Sequence, residues 1–153
     1  MAARSRTPFD GIIISHLGNI DGRQPDNENK LAYIQKALKA GWHVCVDVVF
    51  HCGTFILPYD GGFNPAPPAL LSKQRVWCRA HDPATLDALC NVSAHSFLDT
   101  QGLALTSAQF VWTLPGHELT SRSIAVFPET AGEDWLALYE PAGLCSNEPM
   151  RYI

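Results

Sequence analysis

Six side chains able to donate, accept or carry charge stand at the ends of apolar stretches: His16, Asp47, Tyr59, Arg79, His81 and Asp99. The run "IIISHLGN" leads straight into His16, and an imidazole at a strand tip suits proton transfer near neutral pH. Asp47 lies between Val46 and Val48, where a carboxylate is costly unless paired or metal-bound. "VWCRAHD" presents Arg79 and His81 two residues apart, which in an extended strand puts both on one side. Two imidazoles, a carboxylate and a guanidinium are groups that general acid/base catalysis on an anionic substrate uses. His16, Asp47, Tyr59 and His81 are therefore candidate catalytic residues, and Asn19, Arg79, Asp99 and Trp112 candidates for holding a substrate. Cys45 reads as small core. Glu129 reads as a solvated loop acid, and His43, His51, His95 and His117 as surface residues at turns or strand starts.

These groups need elements to position them. "ENKLAYIQKALKAG" is an amphipathic helix, with Leu31, Ile34, Ala37 and Leu38 on one face and Gly41 as a stop. It separates the first strand from "WHVCVDVVF", a second strand rich in β-branched residues. Strand, helix and strand in that order build parallel sheets. "HCGTFILPYDGG" reads as a hairpin turning at Cys52-Gly53, and "DGGFNPAPPA" as an irregular surface loop. "RVWCRA", "HSFLD", "QFVWTLPG", "SIAVFPE" and "AGLCSN" are further short apolar segments, with "PATLDALC" the other helix. About seven strands with few helices suit an α/β fold: a TIM-like (β/α) barrel with most helices reduced to loops. A normal barrel of this kind takes roughly 200 residues or more, so a truncated one is expected, in a single domain spanning 1–153. A compact doubly wound sheet is the alternative. In a barrel the C-terminal strand ends share one rim, which would collect His16, Cys45 with Asp47, Arg79 with His81, and Asp99. Trp112 or Thr113, Glu129, and Cys145 or Asn147 would complete it.

Composition narrows the partners. The net charge of −4, with eleven scattered Lys and Arg, argues against a nucleic-acid surface. No apolar run approaches the ~18 residues of a membrane span. "MAARSRTPFDG" has no apolar core of the kind a signal peptide carries. Five cysteines without a CxxC pair indicate neither a disulfide framework nor a zinc knuckle, and point to a reducing cytoplasm. A small anionic substrate and a monomer or small homo-oligomer are expected.

The segment "IIISHLGN…DNENKLAYIQKALKAGWHVCVDVVFHCGTFILPYDG" resembles the start of the glycerophosphodiester phosphodiesterase family, of the phospholipase-C-like phosphodiesterase superfamily. "SHLG" stands where that family has His-Arg-Gly, Glu28-Asn29 where it has Glu-Asn, and "CVD" where it has Glu-x-Asp. Later segments resemble a short, truncated-barrel branch of the superfamily. The resemblance implies a phosphodiesterase-like fold and hydrolase or cyclising lyase chemistry on a small phosphodiester. One histidine would take a proton and another give one, and a divalent cation (Mg²⁺ or Ca²⁺) held by carboxylates would neutralise the phosphate. The chain departs from the pattern at Leu17, at Cys45 in place of a carboxylate, and at Tyr59 in place of the second histidine. Arg79, His81 and Asp99 also differ from that branch's residues. Asp47 is left as the one expected metal ligand, with Cys45 weakening the site because hard cations want oxygen. The acid/base roles are then expected to be redistributed, His81 replacing the missing imidazole and Arg79 the cation's charge. The alternatives are an isomerase, cyclase or lyase acting without phosphorus on the same scaffold, and an inactive binding protein.

Overall fold

A computed structural model describes residues 8–132 and 134–153 of the chain. Residues 1–7, part of the segment expected to carry no leader, lie outside the described residues. The architecture is mixed α/β: the described residues form ten strands in one hydrogen-bonded sheet, with few helices. The strands are β1 (Ile12–His16), β2 (His43–His51), β3 (Thr54–Tyr59), β4 (Gly62–Pro65) and β5 (Val76–Ala80). They continue with β6 (Ser96–Leu98), β7 (Leu103–Leu105), β8 (Val111–Thr113), β9 (Ser123–Val126) and β10 (Gly143–Ser146). The helices are α1 (Leu31–Lys39), α2 (Pro68–Leu71), α3 (Pro83–Asn91) and α4 (Asp134–Tyr139). No helix among the described residues is long and apolar enough to cross a membrane.

Helix α1 forms, as the sequence predicts, because Ile34, Ala37 and Leu38 share one buried face, and that face packs against β2. At the start of α3, Asp82 accepts from the Thr85 backbone N–H at 2.8 Å and Pro83 fills the first turn. Strands β6, β5, β2, β1, β10, β9 and β8 run side by side in that order, each pair parallel. The first strand therefore lies against the last one. Strand β7 turns back antiparallel on β8, and the chain just after it reaches β6, where Ser107 N–H donates to Ser96 O at 2.8 Å.

Two sequence expectations need correction here. "DGGFNPAPPA" is not irregular throughout, because β4 pairs antiparallel with β3 across the Asp60-Gly61 turn. Asp-Gly is a strong hairpin signal, and Gly61 takes a positive φ (93°) that glycine adopts without steric cost. Strand β7 and the short helix α4 are also additions to the predicted elements, and neither has a periodic apolar stripe long enough to announce it.

Along the parallel strands, alternate residues meet in one apolar cluster. Ile14, Cys45, Trp77, Phe97, Trp112, Ile124, Val126 and Cys145 all belong to it, so each parallel strand contributes. A second cluster lies between the opposite sheet face and helices α1 to α3. His43 and His95, expected at the surface, instead pack half-buried around Trp77. The indole N–H donates to His43 Nδ1 at 3.1 Å, and the His95 ring sits 4.0 Å from Trp77. They close the end of the cluster from which the parallel strands start.

Candidate active site

Side chains alternate along a strand, so the residue two beyond each member of the inner cluster stands on the same side, one layer toward the C-terminal end. Ile14 leads to His16, Cys45 to Asp47, Trp77 to Arg79, Phe97 to Asp99 and Cys145 to Asn147. The apolar layer is thus a floor, and these polar groups are the layer above it. Register sets Asp47 level with Arg79, whereas His16 stands beside the floor residue Cys45, two positions before Asp47 on the neighbouring strand.

Asp47 is the hub. Arg79 donates to it with both arms, Nε to Oδ1 at 2.6 Å and Nη2 to Oδ2 at 3.1 Å. His81 Nε2 lies 3.1 Å from the same Oδ1, and its Nδ1 lies 3.5 Å from Asp99 Oδ2. Burial pushes the Asp47 carboxyl up, but the hydrogen bonds from His81 and Arg79 and their charges outweigh it and hold it well below the usual carboxylate range. The hydrogen bond to Asp47 raises the His81 pKa, against a smaller desolvation effect. The result is a row, Arg79, Asp47, His81, Asp99, whose charges alternate when His81 is protonated.

His16 lies beside this row, 8% exposed, with the Phe127 ring edge-on at 4.9 Å. Burial, then the Arg79 charge, lowers its pKa from 6.5 to about 4, against a raising effect of Asn147 and Asp47. Its Nδ1 is 3.0 Å from Asn147 Oδ1, whereas Nε2 is buried with no partner. Asn19, fully buried, joins Asn147 to Glu28: its amide nitrogen lies 2.9 Å from Asn147 Oδ1 and 3.2 Å from Glu28 Oε2. Glu28 in turn accepts from Arg23 at 3.0 Å.

The backbone around His16 is held in unusual conformations. Leu17 (φ 57°) and Phe127 (φ 54°) are non-glycine residues in the left-handed region, which costs about 1–3 kcal/mol each and persists only where neighbours enforce it. Leu17 is pinned at both ends, its N–H on Cys45 O at 2.9 Å and its carbonyl accepting from Asn29 N–H at 3.0 Å. At Gly18 (φ 95°) a Cβ would sit 2.6 Å from the Tyr33 ring, whose hydroxyl donates to Asn19 Oδ1 at 3.1 Å. The glycine lets that ring close over the turn.

The structure gathers His16, Asp47, Arg79, His81, Asp99 and Asn19, though Asn19 holds other side chains and is closed off from solvent. It does not bring Tyr59 to them, because that ring packs over Gly62 with Lys30 Nζ 5.0 Å from its centroid. Trp112 is part of the floor, stacked 4.5 Å from Phe97 and closed off from solvent. Glu129 is half-buried and not a free loop acid: it accepts from Ser146 Oγ at 2.9 Å and from the Asn147 N–H at 3.2 Å. Asn29 ties the two halves of the site, its amide donating to the carbonyls of Asp47 and Pro58 and accepting from the Asp47 N–H. Neither role could be read from spacing, since each partner lies on a different strand.

The residues present do not fit a hard divalent cation. Both Asp47 oxygens are taken by Arg79 and His81, and the Cys45 thiol is sunk in the apolar floor. No group of three or more His, Cys, Asp or Glu among the described residues is arranged to hold a metal. The chain matches no protein-family model, no curated protein and no solved structure.

Proposed function

We propose that the chain is an acid/base enzyme of phosphodiesterase type, acting on a small phosphodiester, with Arg79 and His81 supplying the positive charge that a divalent cation would otherwise bring. The observation that carries this reading is the free Nε2 of His16, buried beside the Arg79–Asp47–His81–Asp99 row. His16 Nε2 takes the proton of the attacking hydroxyl as its oxygen bonds to phosphorus. The bond to the leaving oxygen breaks, and that oxygen takes a proton from His81. The contact of His81 Nδ1 with Asp99, at 3.5 Å, is looser than the 3.1 Å contact of Nε2 with Asp47, so Nδ1–H is the proton free to leave. Arg79 and the protonated His81 offset the charge that builds on the phosphate oxygens.

The parallel strands in sequence order around the sheet, with the first against the last and one shared floor, support a truncated barrel as the scaffold. Five free cysteines suit a reducing compartment such as the cytoplasm.

Turnover of bis(4-nitrophenyl) phosphate tests the reading. Release of nitrophenolate should persist in EDTA, and His16→Ala should lower kcat/KM by about 10²–10⁴-fold. Absence of turnover with or without Mg²⁺, Ca²⁺ or Mn²⁺ would overturn it. A second reading, proton transfer on a substrate without phosphorus, is favoured by one feature: Arg79 spends two of its three nitrogens on Asp47. Ligand binding that depends on His16 in a protein inert to every phosphodiester would select it.

A further inference from the structure

We infer that Asn147, backed by Asn19 and Glu28, is a positioning residue that fixes His16 in the tautomer with its proton on Nδ1, leaving a lone pair on Nε2. The inference rests on the reading of His16 as the base, and it specifies how that base is kept ready.

The argument starts from groups whose hydrogen-bonding sense is not free. The Glu28 carboxylate only accepts, and its pKa is lowered, burial being outweighed by the bonds from Arg23 and Asn19. The Asn19 atom 3.2 Å from Glu28 Oε2 must therefore be the amide nitrogen. The other end of the same amide receives the Gln24 backbone N–H at 3.2 Å, which can only donate, so that end is the oxygen. The orientation of Asn19 is thus decided twice, independently. Its nitrogen also donates to Asn147 at 2.9 Å, so the Asn147 atom there is the oxygen. An amide oxygen has no proton to give. His16 Nδ1, 3.0 Å from that oxygen, must be the donor. A neutral imidazole carries one N–H, and Nε2 is left as the acceptor. Glu129 holds Asn147 in place through its backbone N–H. None of these bonds involves Nε2, so the relay acts through the far side of the ring.

Nitrogen NMR of imidazole-labelled protein at pH 7 reads the tautomer directly, with His16 assigned by its loss in His16→Gln. The expected wild-type signature is a protonated Nδ1 and an unprotonated Nε2; the reverse would overturn the inference whether or not any variant folds. Asn147→Asp keeps an acceptor facing Nδ1 and should preserve the signature. Asn147→Leu should let the Nε2–H form reach at least half of the population and should lower kcat on the phosphodiester at least tenfold. An unchanged tautomer in folded Asn147→Leu protein would overturn the inference. A wild-type protein with the expected tautomer but no phosphodiester turnover would remove the proposed reaction and leave the relay standing.

Discussion

Protonating His16 would put a cation in a nearly closed site beside the Arg79 guanidinium, and its pKa falls from 6.5 to about 4 for both reasons, burial first. Between those values the unfolded chain binds a proton that the folded one does not, so stability falls as pH falls. The loss across that window is on the order of 3 kcal/mol for His16, at roughly 1.4 kcal/mol per pH unit. His95, lowered to about 4 by burial and by His43, adds in the same direction. Urea unfolding at pH 7 and pH 4.5 should show this acid limb, and His16→Gln should make it shallower. An unchanged limb would mean that His16 is hydrated enough to protonate freely. Asp47 belongs to a different window: its depressed pKa contributes stability above the ordinary carboxylate range, lost only as pH falls below it. His81 is the opposite case, its contribution complete below about 6.5 and fading as pH rises through its raised value.

Strand parity carries the site at the scale of elements, because His16, Asp47, Arg79, Asp99 and Asn147 each stand two residues past a floor residue. The loop between β1 and α1 is tied to β2 and β3 by Asn29. Its φ of 64° and its three bonds to β2 and β3 do separate work. Asn29→Gly keeps the backbone conformation but strands the buried Asp47 N–H, and should cost about 3 kcal/mol. Asn29→Ala adds left-handed strain, about 1 kcal/mol more. Denaturant melts of the two variants separate the contributions, and equal losses would show that the backbone shape is not strained. The Glu28-Asn29 pair was visible in the sequence as a motif at the start of α1. That Asn29 binds β2 while Glu28 orients Asn19 was not, because both partners are remote in the chain or the bond is side chain to side chain.

For the whole molecule, the inner cluster is what makes the parallel strands one body, since each of them contributes to it. Phe97, 1% exposed and stacked on Trp112, lies within it. Phe97→Ala should cost about 3–5 kcal/mol and lower the midpoint of every spectroscopic probe together. Phe63 on strand β4, 58% exposed, is the control: Phe63→Ser should change stability by no more than about 0.5 kcal/mol. If separate probes gave different midpoints in Phe97→Ala, the sheet would be acting as two units.

The strand–helix–strand opening, α1, α3 and the polar residues at strand ends followed from local pattern, because apolar period and capping chemistry are properties of neighbouring residues. His16, Asp47, Arg79, His81 and Asp99 were legible for that reason, each a polar side chain within or just past an apolar run. Which of them touch was decided only by the tertiary structure. Strand register set Arg79 on Asp47, and the pairing of β1 with β10 brought Asn147 to His16 across 131 positions of chain. Tyr59 and Trp112 show the converse: a suitable side chain at a suitable place in the sequence does no more than pack when its strand turns outward or its layer lies beneath the rim.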